Sequence, residues 1–167
     1  FRLGEKFQIS IEDEDVHTAI ENHLTEKLGE LGKKIHTARS RNDQVLVDLR
    51  LYSKDKLLEV QKLVLDLAES LVNIAEKHKG VPMPGYTHSR KAMPSSVGLY
   101  FGSFAESLLD NLEILDEAYE INDQCPLGSG AGYGLPIEVD RQLTADLLGF
   151  KKVQNNSLYV QNSRGKI

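Results

Sequence analysis

The chain has 167 residues, of which 40% are hydrophobic and 27% charged, and its formal net charge is −5. This balance is typical of a folded globular protein and excludes a disordered class. An acidic chain also argues against a general nucleic-acid partner, which favours a basic face. The single cysteine, Cys125, excludes an internal disulfide framework and suits a reducing compartment.

The sequence gives no sign of membrane association. No stretch approaches the roughly 20 apolar residues of a membrane span, and the first residues lack the basic-then-apolar layout of a signal peptide. We therefore expect a cytoplasmic protein. Because the chain starts at Phe1 and stops without closing an element, we also expect a piece of a longer polypeptide.

A first amphipathic helix is predicted over residues 12–28. Its start is indicated by Ser10 and Asp13, which form a capping-box pair. Apolar residues then recur every four positions, at Val16, Ile20, Leu24 and Leu28. His17 and His23 lie six residues apart, so they do not share a helix face, and we expect no zinc site from them.

The stretch over residues 36–44 combines basic and amide side chains at the start of a second helix. Ser40 and Asp43 fit a capping box. With Arg39 and Arg41 beside it, such a helix N-terminus could bind a carboxylate or phosphate. The alternative is a solvated basic segment that simply leads into a capped helix.

From Asn42 to about Lys79 the sequence predicts one very long helix. Apolar residues repeat with an 11-residue period, which indicates a nearly straight helix. Roughly 37 residues at about 1.5 Å each span roughly 55 Å. A compact ball of this chain length is only about 40 Å across. We therefore expect an elongated bundle, and an oligomer in which other chains cover the apolar sides.

A loop over residues 80–94, rich in proline and glycine, should separate this helix from the next. The second long helix is predicted from Ser95 or Ser96 to about Asn122, with the same apolar spacing as the first. Two such helices predict an antiparallel pair in a helical bundle. The loop, of about 15 residues, is longer than such a connection needs, and long ordered loops are often functional.

The glycine-rich segment over residues 126–134 is not a dinucleotide fingerprint, because its glycines alternate and no strand precedes it. We interpret it as tight turns where backbones approach closely. A short helix is predicted over residues 137–148, ended by Gly149. Residues 150–167 are polar and weakly patterned.

The residues that could carry chemistry lie in the two polar stretches. The candidates are His88 with Thr87, and Arg39, Ser40, Arg41 and Asn42. Histidine exchanges protons near neutral pH, and arginine binds a carboxylate through two hydrogen bonds. Together they indicate proton transfer on a small carboxylate-bearing substrate, with an ordinary loop histidine as the alternative. No metal cluster and no Ser-His-Asp or Cys-His pattern is readable.

These polar stretches, in this order, resemble the argininosuccinate lyase family of the fumarase/aspartase superfamily. The resemblance is carried by residues 14–19, 37–44, 84–88, 126–131 and 140–150. It implies an all-α, long-helix bundle that is incomplete in this chain. Residues 1–40 would be the end of a small N-terminal helical domain, and residues 41–167 the first part of the central bundle domain. It further implies a homotetramer whose active sites are shared between subunits.

The reaction implied by the resemblance is reversible β-elimination of arginine from argininosuccinate, which gives fumarate, in arginine biosynthesis. A base removes a proton beside a carboxylate, and an acid protonates the leaving guanidinium nitrogen. The resemblance makes His88 catalytic, as base, acid or relay, and assigns Asn42, Thr87 and Arg41 to binding of a substrate with dicarboxylate and guanidino groups. It implies no metal and no cofactor.

This chain departs from the family pattern in several places. The family usually follows Thr-His with Leu-Gln and ends that block with Gln-Pro, whereas Ser89, Arg90 and Met93-Pro94 stand here. Its Ser-Asp-Arg-Asp-Phe segment appears as residues 162–166, Asn-Ser-Arg-Gly-Lys. The loop that bears the catalytic serine is absent from this sequence, so we predict that the chain alone is inactive.

Three other interpretations remain open. The first is a structural relative of the delta-crystallin kind, because some of those proteins lack activity. The second is another fumarate-releasing lyase of the superfamily. The third is a helical interaction module whose basic loop binds an acidic partner, although the net charge of −5 argues against it.

Overall fold

The computed structural model describes residues 9–167, which are mostly helical. The helices are α1 (Val16–Leu28), α2 (Glu30–Lys33), α3 (Arg41–Lys77), α4 (Val97–Asn122), α5 (Arg141–Leu147) and α6 (Ser157–Asn162). The strands are β1 (Pro82–Thr87), β2 (Arg90–Ser96), β3 (Gln124–Cys125) and β4 (Lys152–Val153). Short 3-10 turns cover Lys34–His36 and Arg164–Lys166. The predicted long-helix, all-α class is confirmed.

The described chain forms two compact units. The first unit combines the residues up to Leu49 with Gln124–Lys166, and the second unit is Arg50–Asp123. Helix α3 begins in the first unit and continues into the second. The predicted family domains, 1–40 and 41–167, stay a prediction. Among residues 9–167, no helix combines the length and apolarity that crossing a bilayer requires.

Helix α1 begins four residues later than predicted. Ser10 donates its backbone N–H to Asp13 Oδ2 at 2.9 Å, but this pair closes a turn that precedes the helix. The residue that caps α1 is Asp15, whose Oδ1 accepts the backbone N–H of Thr18 at 2.8 Å. The helix ends at Gly29, as predicted, with φ of 60°.

Glycines and a parallel strand pair organise the C-terminal part of the first unit. Strands β3 and β4 pair in parallel, with Gln124 opposite Lys152. The expectation that no strand precedes the glycine-rich segment is therefore wrong, because β3 ends directly before it. Four alternating glycines have positive φ, at Gly128, Gly130, Gly132 and Gly134, which confirms the predicted tight turns. Helix α5 starts only at Arg141, because Asp140 caps it, and α6 was not predicted. The apolar core here includes Leu46, Leu127, Ala145, Phe150 and Val160.

In the second unit, α3 and α4 run antiparallel, as predicted. Contacts between them occur in opposite order along the two helices: Lys54 pairs with Asp123, and Gln61 donates to Asp116. Near the other end, the backbone of Gly98 lies against α3 and the residues just after it. Helix α4 begins as predicted, because Ser96 Oγ caps it by accepting the N–H of Leu99.

The predicted loop over residues 80–94 is wrong in its local structure, because this segment forms an antiparallel β-hairpin. Strand β1 pairs with β2, with a bulge between Pro84 and Tyr86. His88 and Ser89 form the two-residue turn, with φ of 49° and 61°. Prolines do not prevent this pairing, because a two-stranded ribbon has only edge strands, where proline is tolerated.

Candidate active site

His88 lies at the tip of the hairpin in the second unit. It directly follows Thr87, the last residue of β1, and both side chains are exposed. No hydrogen bond or ion pair in the described part of the chain engages the His88 imidazole. The imidazole is therefore accessible for exchange of protons with a bound molecule.

The backbone at the hairpin tip is in an unusual conformation. Two-residue turns with positive φ at both positions favour Asn-Gly or Gly-Gly, yet this turn is built from His88 and Ser89. A left-handed conformation costs a residue other than glycine about 1–2 kcal/mol. Strained positions of this kind cluster at functional sites. The hairpin thus places His88 at a turn position whose positive φ glycine or asparagine would adopt with less strain.

Arg41 lies in the first unit at the start of α3 and contacts α1. Its Nε lies 3.0 Å from Asp15 Oδ2, and its Nη2 donates to Thr18 Oγ1 at 2.9 Å. Its Nη1 also donates to Gln44 Oε1 at 3.3 Å. The N–H of Thr18, with help from Arg41, lowers the pKa of Asp15. Arg41 therefore ties α1 to α3, and its predicted contact with substrate stays a prediction.

Asn42 is exposed beside Arg41, and its amide is oriented from two sides. Its Nδ2 donates to Ser40 Oγ at 3.3 Å, and Arg164 Nη2 donates to its Oδ1 at 3.4 Å. Ser40 Oγ also accepts the backbone N–H of Asn42. The amide stays accessible from solvent, as a substrate-binding residue would need to be.

Asp43 was predicted only as a capping residue, and the structure gives it a larger role. Its side chain is fully buried, and it accepts the N–H groups of Ser40 and Gly130, each at 2.9 Å. Burial raises the pKa of this carboxyl group, although the backbone N–H donors partly oppose the shift. Asp43 thereby joins the start of α3 to the glycine-rich segment.

Arg39 is exposed and lines two cavities of about 150 Å³ each in the first unit. Two histidines also line one of these cavities. His17 Nε2 lies 3.3 Å from Asp48 Oδ2, and His36 Nδ1 lies 3.3 Å from Glu21 Oε2. Within residues 9–167, no group of three or more histidine, cysteine, aspartate or glutamate side chains could hold a metal ion.

The structure thus places the predicted site residues in two groups. Arg41 and Asn42 are neighbours at the start of α3 in the first unit, and Thr87 and His88 are neighbours at the hairpin tip in the second unit. Asp43 and Arg164 are additional residues around Asn42 that the sequence analysis did not assign to the site. The capping-box pattern had indicated a structural role for Asp43, whereas no sequence pattern indicated that Arg164 would lie near Asn42.

Comparison with known proteins identifies the family. A family model described as a lyase matches residues 1–165. The chain belongs to the lyase family. The match extends over almost the whole chain, so both groups of candidate residues lie within it.

Relatives similar to this chain are named argininosuccinate lyase, which is more specific than the family description. The argininosuccinate lyase of Thermotoga neapolitana is 57% identical over 161 residues, which cover 96% of this chain and 40% of that protein. The argininosuccinate lyase of Parabacteroides distasonis is 47% identical over 169 residues, covering 100% of this chain and 38% of that protein. The predicted resemblance is confirmed, and the chain spans about 40% of the length of these curated relatives.

Solved structures of other lyases share the fold. EDDS lyase in complex with formate superposes with a TM-score of 0.85 at 31% identity, over 89% of this chain and 30% of that chain. A fumarate lyase:delta crystallin from Brucella melitensis bound to cobalt gives a TM-score of 0.74 at 19% identity, over 89% of this chain and 35% of that chain. The second likeness concerns the fold alone.

Proposed function

We propose that this chain is part of an argininosuccinate lyase, which cleaves argininosuccinate into arginine and fumarate in arginine biosynthesis. The observation that carries the proposal is the 57% identity with the Thermotoga neapolitana argininosuccinate lyase across 96% of this chain. The exposed histidine at the hairpin tip supports it, because the elimination needs a group that transfers protons.

The chemistry of the elimination assigns a task to each candidate residue. A C–H bond beside a carboxylate breaks, the C–N bond to the guanidino group breaks, and a C=C bond forms. The leaving nitrogen takes up a proton. His88 takes part in these proton transfers, as base, acid or relay. Thr87 and Asn42 hydrogen-bond the substrate and Arg41 faces a carboxylate, where positive charge stabilises the aci-carboxylate that builds up in the transition state.

We further propose a cytoplasmic homo-oligomer, a tetramer by the family resemblance, whose sites combine residues from several subunits. Exposed apolar side chains along α3 and α4 support association, since they include Leu63, Leu67, Leu99 and Ile114. The single buried cysteine, Cys125, is compatible with a reducing compartment. With about 40% of its relatives' length, the chain alone is proposed to be inactive.

The test is release of fumarate from argininosuccinate, measured for these 167 residues alone and for the complete polypeptide that contains them. We expect turnover only from the complete polypeptide. There His88→Asn should lower kcat by about 10²–10⁴-fold, the usual contribution of general acid–base catalysis. Asparagine is chosen because it tolerates positive φ and should preserve the turn.

The matched control is His78→Asn, the same replacement at a histidine to which the proposal gives no role; it should keep wild-type kcat. Full turnover by His88→Asn would overturn the assignment of His88. A complete polypeptide that folds and assembles but releases no fumarate would overturn the proposed activity and favour a structural role of the delta-crystallin kind.

A further inference from the structure

Arg90 is placed by the hairpin directly beside the proposed catalytic group. The register pairs it with Thr87 across the two-residue turn that contains His88. Directly paired residues of an antiparallel ribbon point to the same face, with Cβ atoms about 4.5–5.5 Å apart. The Thr87 hydroxyl and the Arg90 side chain therefore share one face of the hairpin tip.

The Arg90 guanidinium is not committed to other parts of the structure. Its side chain is exposed, and among residues 9–167 no hydrogen bond or ion pair uses it. Arg41 and Arg141 differ in this respect: Arg41 binds Asp15 and Thr18, whereas Arg141 donates to three backbone carbonyl oxygens. Those two guanidinium groups already have partners within the protein, whereas the guanidinium of Arg90 has both of its hydrogen-bonding edges available for a ligand.

Lys91, the next residue, offers an internal comparison. It carries the same charge, is also exposed, and pairs with Tyr86 instead of Thr87. Because side chains alternate between the faces of a strand, Lys91 points away from the face shared by Thr87 and Arg90. The two cations thus contribute similar long-range attraction, but only Arg90 shares a face with the Thr87 hydroxyl.

We propose that Arg90 is a further substrate-binding residue, which holds a carboxylate of the dicarboxylate substrate in bidentate fashion beside the Thr87 hydroxyl. A planar guanidinium matches a carboxylate through two parallel hydrogen bonds. The inference rests on the proposed function, and it adds a specificity determinant that the family resemblance does not supply, because the family pattern has glutamine at this position.

The experiment compares Arg90→Gln with Lys91→Gln in the complete polypeptide that contains this chain. The two variants lose the same charge from adjacent residues, and glutamine keeps most of the side-chain length. Steady-state kinetics give kcat and KM for argininosuccinate, and calorimetry gives the Kd for fumarate without turnover. Arg90→Lys serves as a third variant, which keeps the charge and loses the bidentate geometry.

We expect Arg90→Gln to raise both KM and the Kd for fumarate by about 10–100-fold, as loss of a hydrogen bond between charged groups predicts. Lys91→Gln should leave both close to wild type, and Arg90→Lys should be intermediate. Equal effects of Arg90→Gln and Lys91→Gln, or no effect of Arg90→Gln, would overturn the proposal.

The measurements also distinguish failure of the proposed activity from failure of the proposed role of Arg90. Absence of argininosuccinate turnover in the wild type would overturn the proposed function, and fumarate binding would still decide the role of Arg90. In that case, binding lost selectively in Arg90→Gln supports the carboxylate site. Absence of fumarate binding in the wild type overturns both proposals.

Discussion

At the scale of single residues, Asp43 shows how one side chain can support a site without being part of its chemistry. It lies next to Asn42 and binds the N–H of Gly130, which is 87 positions away in the sequence. A buried carboxylate that accepts two backbone N–H groups fixes both segments at once. Its loss should therefore disturb the start of α3, where two proposed substrate-binding residues lie.

Asp43→Asn should lower the free energy of unfolding by about 1–3 kcal/mol, because an amide nitrogen replaces one acceptor and leaves a buried N–H unsatisfied. The penalty should also depend on pH. Burial raises the pKa of Asp43 above its ordinary value of 3.8 in the folded state. Its contribution to stability is then fully present below pH 3.8 and declines as the pH rises through the raised pKa.

Since asparagine does not titrate, the penalty of Asp43→Asn should be larger near pH 4 than at pH 7. Urea unfolding of both proteins at the two pH values measures this difference, and groups common to both cancel. A penalty that grows toward pH 7 would mean that the backbone N–H donors outweigh burial and depress the pKa instead.

At the scale of elements, the contact between the end of α3 and the start of α4 depends on Gly98. A Cβ atom added there would lie 2.7 Å from Lys79 Cα and 3.0 Å from the Ala75 carbonyl oxygen. Both neighbours are backbone atoms and cannot move without shifting the helices. Gly102, one helical turn further along α4, has nothing within 4 Å of its added Cβ.

These two glycines predict opposite effects of the same substitution. Gly98→Ala should destabilise the protein by about 1–3 kcal/mol through overpacking. Gly102→Ala should stabilise it by about 0.5–1 kcal/mol, because alanine is the better helix former. Thermal unfolding monitored by circular dichroism measures both. A raised Tm for Gly98→Ala would show that the helices do not approach as closely as the structure indicates.

Regular periodicity made the long helices predictable, whereas the shorter elements depend on information that local patterns lack. Helices α3 and α4 end within two residues of their predicted limits, because each has a long apolar stripe and a clear cap or breaker. The hairpin was missed because its prolines argued against strands and its turn residues, His88 and Ser89, are atypical. The Asp43–Gly130 contact joins distant segments, so no spacing rule could reveal it.

At the scale of the whole molecule, the described chain exposes many large apolar side chains along its two long helices. Ile114 on α4 is 68% exposed and Leu63 on α3 is 60% exposed. Large apolar patches on a folded protein usually mark interfaces. In the proposed oligomer these side chains would be covered by other subunits.

Ile114→Glu should therefore shift the complete polypeptide from the oligomer toward smaller species, because burying an unpaired carboxylate in an interface is strongly unfavourable. Sedimentation velocity measures the change. Leu147→Glu is the control: Leu147 is also an exposed apolar residue, but it lies on the short helix α5, outside the apolar faces of α3 and α4 that the proposal places in the interface, and should not affect assembly. Unchanged sedimentation of Ile114→Glu would contradict burial of this face between subunits.

The two ends of the second unit meet. Arg50 Nη1 donates to the backbone oxygen of Asn122, and Asn122 Nδ2 donates to the backbone oxygen of Arg50, each at 3.0 Å. Closing a flexible loop of this length costs about 4 kcal/mol in chain entropy. The antiparallel pairing of α3 with α4 brings the ends at Arg50 and Asn122 together. Residues 50–123 therefore form one closed insertion in the chain of the first unit, and a ribosome synthesises this whole insertion before residues 124–166, which complete the first unit.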